Sequence, residues 1–222
     1  MPTQSDRGDK AGRMNQLEEL NLIICGLSGQ GIILTERLLV MALAQEGRNV
    51  LSADVPPWTH RNALTYCYIR TGEELYSPRI PEGGADLIVA FEPLVALQVS
   101  AIYGNSETTV VMNDYPIETR GLSRDGKRDM SGQPAHRYPS IQEILEYLKQ
   151  LDITRVKTIK GTELSFRETG SARSLNMVML GAAYATNMIP VKLETLEKGI
   201  LENTPPGTGE ANLKAFRAGT RI

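Results

Sequence analysis

Three glycines fall within six residues at Gly26-Leu27-Ser28-Gly29-Gln30-Gly31, directly after the apolar run Leu22-Ile23-Ile24-Cys25. At a strand-to-helix junction such glycines let the backbone bend tightly, and the N–H groups of the opening helix then point at one spot. The chemistry on offer is recognition of an anion or polar oxygen. A dinucleotide reading is open, because Gly26, Gly31 and the acidic Asp54 stand near the required spacing. Ser28 counts against it, since it replaces the glycine that lets a pyrophosphate approach the backbone, and so does Pro56-Pro57 directly after Val55. A tight turn without a ligand stands equally open.

The remaining candidates are scattered. Arg61, in the loop Pro56-Pro57-Trp58-Thr59-His60-Arg61-Asn62, carries a planar fork suited to a carboxylate or phosphate, although surface and interface arginines are commoner in loops. Trp58 is the single tryptophan, and an aromatic on an irregular loop marks a contact surface more often than a core. Glu92 ends an apolar run just ahead of Pro93, at the strand end where ligands of open α/β sheets bind; the plainer role is a first-turn carboxylate favoured by the helix dipole. Asn176 lies in an apolar helical stretch, where an amide without a partner costs about 1–3 kcal/mol, so it is expected to bond backbone, partner or ligand. His60 and His136 have no companion at metal or triad spacing.

The elements that position these residues follow from hydrophobic pattern. Leu22–Cys25, 86–91 and 109–113 read as buried strands, and 50–55 and 63–70 as two more. Helices are expected at 32–45, 93–103, 140–151, 172–186, 193–202 and 209–218, with Pro93 at a first helical position and Ser140 with Glu143 forming a capping box. A further strand is expected at 155–159. The alternation argues for an α/β fold: a doubly wound, mainly parallel Rossmann-like sheet with a helical C-terminal third. Residues 115–138 are polar and without period, the pattern of a long excursion or mobile flap. Residues 1–19 have the composition of a flexible tail, leaving 20–222 as a single domain.

Composition narrows the partners. A net charge of -2 with no long basic run gives no field for nucleic acid, and no apolar stretch approaches the roughly 20 residues that span a bilayer. The polar start offers no apolar signal core, so a cytoplasmic location is the expectation. Cys25 and Cys67, each inside an apolar run, are expected to be reduced core residues. An ordinary iron–sulfur cluster takes four thiolates, and the chain has two cysteines.

The glycine turn is similar to the G-x-G-G-Q-G that opens the gamma-type domain of 2-oxoacid:ferredoxin oxidoreductases. The resemblance continues through Arg61, where that family carries R-G-G, through Tyr66-Cys67-Tyr68-Ile69-Arg70, and through Leu75-Tyr76-Ser77-Pro78-Arg79-Ile80-Pro81-Glu82-Gly83-Gly84-Ala85-Asp86 into Ala90-Phe91-Glu92-Pro93-Leu94. It resumes at 172–182 and 210–219, so it runs in order from Leu22 to Gly219, and the stretch 75–94 looks like the beta subunit of the indolepyruvate branch. The chain departs from the pattern at Ser28 and at Asn62-Ala63. What the resemblance implies is the small subunit of an enzyme that oxidatively decarboxylates arylpyruvates to acyl-CoA and passes electrons to ferredoxin. It implies no cofactor in this chain, with thiamine diphosphate, magnesium and iron–sulfur clusters in a larger partner subunit. Gly26, Ser28, Gly29, Gln30, Gly31, Trp58, Arg61, Glu92 and Asn176 would then meet CoA, the 2-oxoacid or the partner. The alternatives are a paralogue for another 2-oxoacid and a stand-alone nucleotide-binding module.

Overall fold

The computed structural model describes residues 19–55 and 63–222. The flexible tail expected at the N-terminus falls outside them apart from Glu19, and so do Trp58 and Arg61. Among the described residues the main sheet has six strands: β1 (Leu20–Leu27), β2 (Val50–Val55), β3 (Leu64–Thr71), β4 (Leu87–Ala90), β5 (Thr109–Asn113) and, later in the chain, Arg155–Ile159. Two short strands, β6 (Leu122–Ser123) and β7 (His136–Arg137), pair with each other ahead of that last one, which is therefore β8. The order across the main sheet is β2-β3-β1-β4-β5-β8. β1, β4, β5 and β8 are mutually parallel, whereas β3 runs antiparallel to both β1 and β2. Five strands thus share one direction and one is reversed, so the sheet is mostly parallel, as its apolar runs predict.

Helices cover both faces. On one side α1 (Ile32–Gln45) and three C-terminal helices, α5 (Leu175–Tyr184), α6 (Leu193–Asn203) and α7 (Gly209–Gly219), share a core with Leu22, Ile24, Cys67, Ile69 and Val89. On the other, α2 (Pro93–Tyr103) and α3 (Ile141–Gln150) pack on Ile23, Cys25, Tyr68, Ile88 and Val110. Alternate residues of each central strand feed the two cores, so β1 is buried nearly throughout. α3 carries the expected capping box, Ser140 Oγ accepting from Glu143 N at 3.2 Å and Glu143 Oε2 accepting from Ser140 N at 2.7 Å.

Three features differ from the expectations. α4 (Gly161–Thr169) has no hydrophobic periodicity to announce it, because the residues it buries are Gly161 and Ser165. The helix expected at 172–186 opens with a 3-10 turn at Ala172–Ser174. The stretch 115–138 is an organised excursion: Asp129, 6% exposed, accepts from Gly121 N at 2.8 Å, Ser131 N at 2.9 Å, Gln133 N at 3.1 Å and Ser131 Oγ at 2.7 Å. These bonds hold its carboxyl well below the usual range.

The C-terminal helices meet at very close range. A Cβ on Gly181 of α5 would lie 2.1 Å from the Phe216 carbonyl oxygen, and one on Gly219 of α7 would lie 2.1 Å from the Val178 oxygen. Glycine at both positions is what lets the two backbones touch.

Candidate functional site

The glycine turn lies at the carboxyl edge of β1, a central strand, where ligands of open α/β sheets bind. Gly29 and Gly31 both have left-handed backbones, with φ of 96° and 86°, which accounts for two of the three glycines. The third, Gly26, makes room for a side chain, since a Cβ there would come 2.6 Å from Gln30 Oε1. Gln30 is a brace: its Oε1 accepts from Leu27 N at 2.6 Å, and its Nε2 donates to Phe91 O at 3.1 Å, tying the end of β1 to the end of β4. Asn113 Nδ2, at the end of β5, donates to the same carbonyl at 3.1 Å and to Thr162 Oγ1 of α4 at 3.1 Å. Three strand ends are locked together by two amides.

Gly31 is the N-cap of α1, which has no side-chain cap and no acid in its first turn. Thr35 N returns to Gly31 O at 3.1 Å, and Thr35 Oγ1 donates to the same oxygen at 3.0 Å. Against this end of α1 lies Asn176 of α5. Its Nδ2 would be 2.7 Å from a Cβ on Gly31, so only glycine leaves it that space. Asn176 is 4% exposed and packs against this end of the helix.

Ser28 N donates to Ala63 O at 2.9 Å, and Ser28 Oγ accepts from Ala63 N at 3.4 Å, so the hydroxyl turns toward the start of β3. The loop holding Trp58 and Arg61 ends at Ala63, beside this turn. Asp54 stands on β2, which is separated from β1 by the reversed β3. A dinucleotide site needs its acidic residue on the strand next to the glycine turn, and the topology denies that arrangement.

Glu92 caps α2, accepting from Val95 N at 3.0 Å, and also accepts from Ile117 N at 3.2 Å and from the Tyr138 hydroxyl. Tyr138 in turn accepts from Leu94 N at 2.9 Å. Both ends of the 115–138 excursion are thus fastened to one carboxylate, a role no local pattern reveals because its partners lie 25 and 46 residues away. Burial pushes the Glu92 carboxyl up, and the Tyr138 and backbone bonds hold it partly back. The group lines a cavity of about 200 Å³ with Leu27, Leu94, Ile117, Leu122 and Tyr138. A larger groove of about 810 Å³ between α4 and α7 shares no residue with this edge; Arg167 and Arg217 there are paired with Glu168 and Glu197.

The residues present do not fit an iron–sulfur cluster. Cys25 and Cys67 are buried and free, they belong to the cores on opposite faces of the sheet, and burial pushes both thiols up. Among the described residues no group of three or more His, Cys, Asp or Glu is placed to hold a metal ion, and no helix is long and apolar enough to cross a membrane.

The model of the pyruvate ferredoxin/flavodoxin oxidoreductase family matches residues 21–222. The chain belongs to this family. Within it, the chain is 34% identical over 201 residues to the indolepyruvate oxidoreductase subunit IorB of Methanothermobacter thermautotrophicus, covering 90% of this chain and 95% of that one. It is 26% identical over 206 residues to the 2-oxoglutarate synthase subunit KorC of Archaeoglobus fulgidus, covering 90% and 86%. Among solved structures, the pyruvate oxidoreductase subunit PORC of Thermotoga maritima superposes with a TM-score of 0.66 at 17% identity, covering 92% of this chain and 96% of that one, a likeness of fold.

Proposed function

We propose that this chain is the small, cofactor-free subunit of a thiamine-dependent 2-oxoacid:ferredoxin oxidoreductase whose substrate is an arylpyruvate such as indolepyruvate. The observation that carries the reading is the identity to the IorB subunit across nine-tenths of both chains. The larger partner subunit would hold thiamine diphosphate, magnesium and the iron–sulfur clusters, which supply decarboxylation of the 2-oxoacid and electron transfer to ferredoxin. Among the described residues no group of three or more His, Cys, Asp or Glu is placed to hold a metal ion, and the two cysteines are buried on opposite faces of the sheet, which supports this division of labour. Its contribution is a surface. The turn Gly26–Gly31, Glu92 and Asn176 lie toward one edge of the sheet; together with Trp58 and Arg61 they would complete the pocket for the 2-oxoacid or CoA and hold the partner in its active arrangement. Water is excluded from that pocket by the subunit contact.

A second reading, a paralogue for a different 2-oxoacid, is favoured by the KorC relative, because both relatives share the same extent of this chain. One experiment addresses subunit role and substrate together: co-expression with the thiamine-binding subunit, pull-down, and assay with indolepyruvate, pyruvate and 2-oxoglutarate. The chain alone is expected to be inactive, and the complex to prefer indolepyruvate. Loss of a buried interface aromatic costs about 2 kcal/mol or more, roughly thirtyfold in affinity, so Trp58→Ala should weaken assembly. Arg61→Ala should assemble and raise KM for CoA or the oxoacid. Normal assembly and turnover of both variants would remove this face from the proposal.

A further inference from the structure

We infer that the tip of the 115–138 excursion is a second docking element, a cationic surface for an acidic patch on the cofactor-bearing partner subunit. The inference rests on the subunit reading above and adds a contact away from the glycine turn. Between 115 and 138 the chain places five Lys or Arg against three Asp or Glu, a net charge of +2, whereas the whole chain carries -2. All five cations are exposed. Of the acids, Asp129 is buried and bonded to the excursion's own backbone, Glu118 pairs with Arg124 at 3.9 Å, and Asp125 accepts from Ser123 Oγ at 3.1 Å and from Lys127 N at 3.0 Å. Among the described residues no carboxylate lies within ion-pair distance of Arg120, Lys127 or Arg128.

The fold gathers these three cations. Asp129 N donates to Gln133 O at 2.9 Å and Ala135 N to Lys127 O at 3.2 Å, closing a hairpin whose tip is Met130-Ser131-Gly132. The Asp129 carboxylate also draws in Gly121 N, so Arg120 stands beside the hairpin that Lys127 and Arg128 enter. Arg128 Nη1 donates to Gly132 O across the tip, and Met130 is 69% exposed there. Arginine and methionine are enriched at protein interfaces, and a loop ordered by its own buried carboxylate presents them with less entropy left to lose on binding. Both ends of the excursion are fastened to Glu92, and Ile117, Thr119 and Leu122 line the cavity that Leu27 also lines. Its base therefore adjoins the edge proposed to meet the partner, and that continuity selects the partner subunit as the occupant. A nucleic acid fits less well, because along its length it would also meet the net negative remainder of the chain.

The test uses the complex purified after co-expression of the full chain with the partner subunit, its dissociation on dilution followed by mass photometry. Raising salt from about 0.1 M to about 1 M cuts the screening length from about 10 Å to about 3 Å. The unaltered complex should dissociate about tenfold more readily at the higher salt, equivalent to about 1.4 kcal/mol. Lys127→Glu combined with Arg128→Glu should weaken assembly about tenfold or more at the lower salt and remove most of the salt dependence. Lys127→Ala combined with Arg128→Ala, which sets no like charge against the partner, should weaken it about threefold and serves if circular dichroism shows the reversed chain unfolded. A complex insensitive to salt, or a folded variant that assembles as tightly as the parent, overturns this contact and leaves the subunit reading standing. An unaltered chain that never assembles with the partner refutes both, and one that retains a nucleic-acid duplex in place of the partner overturns the occupant.

Discussion

Substituting alanine for Gly181 and for Gly199 should move stability in opposite directions, although both residues are helical glycines. At Gly181 the new methyl would sit 2.1 Å from the Phe216 oxygen and 2.9 Å from Thr220 N. A carbon rests about 3.3 Å or more from a carbonyl oxygen, so α5 and α7 would have to part by about 1 Å. A gap of that size forfeits a quarter to a half of each dispersion contact across the interface, and overpacking of this kind costs about 1–3 kcal/mol or more. Both obstructing atoms are backbone and cannot swing aside, which puts the cost near the upper end. The propensity gain of alanine over glycine returns about 1 kcal/mol. The net expectation is a loss of about 2 kcal/mol, or a fall in Tm of roughly 4–8 °C for a chain of this size. At Gly199 of α6 a Cβ would meet nothing within 4 Å, so the propensity gain stands alone and Tm should rise by roughly 2–4 °C. Urea unfolding of both variants, read by far-ultraviolet circular dichroism, measures the pair. If Gly181→Ala is as stable as the parent, the reasoning from backbone contact is wrong.

Two further outcomes follow from the sheet edge. Gln30→Ala leaves Leu27 N without its acceptor while Phe91 O keeps Asn113, so stability should fall by about 1–3 kcal/mol and the Leu27 amide should exchange faster; unchanged exchange there would remove the brace. The folded-state shift of Glu92 is upward, so its contribution to stability is fully present below the ordinary carboxyl range and is lost as pH rises through the raised folded value. Glu92→Gln should therefore lose less stability than the parent between acid and neutral pH, and parallel stability profiles for the two proteins would contradict the assignment.

Much of the scaffold was legible because its signals are local. β1 is built around the apolar run Leu22–Cys25, α2 begins at Pro93, and α3 carries its capping box in four residues. α4 was invisible for the converse reason: it packs through Gly161 and Ser165, and close approach of small residues leaves no hydrophobic stripe. The direction of β3 is not encoded in its alternation, yet the short connection after Val55 held the clue, since a parallel crossover takes a dozen or more residues and a hairpin does not. In the site, the turn and its glycines were readable, whereas the work of Gln30 was not. Its second partner, Phe91 O, lies 61 residues along the chain. Asn176 was singled out for its odd setting, but only the fold brings it to Gly31.

The two faces of the sheet are completed at different moments of synthesis. The α2 and α3 side needs nothing beyond Val156, because its helices follow their strands closely along the chain. The α1 side waits for Leu175 through Phe216 to emerge before Leu22, Ile24, Ile69 and Val89 receive their full cover. A ribosome paused between these points would carry a half-roofed sheet with one greasy face open. Such a nascent chain is a natural client for a chaperone, and release of a fragment lacking α5–α7 should yield aggregates where the whole chain yields protein.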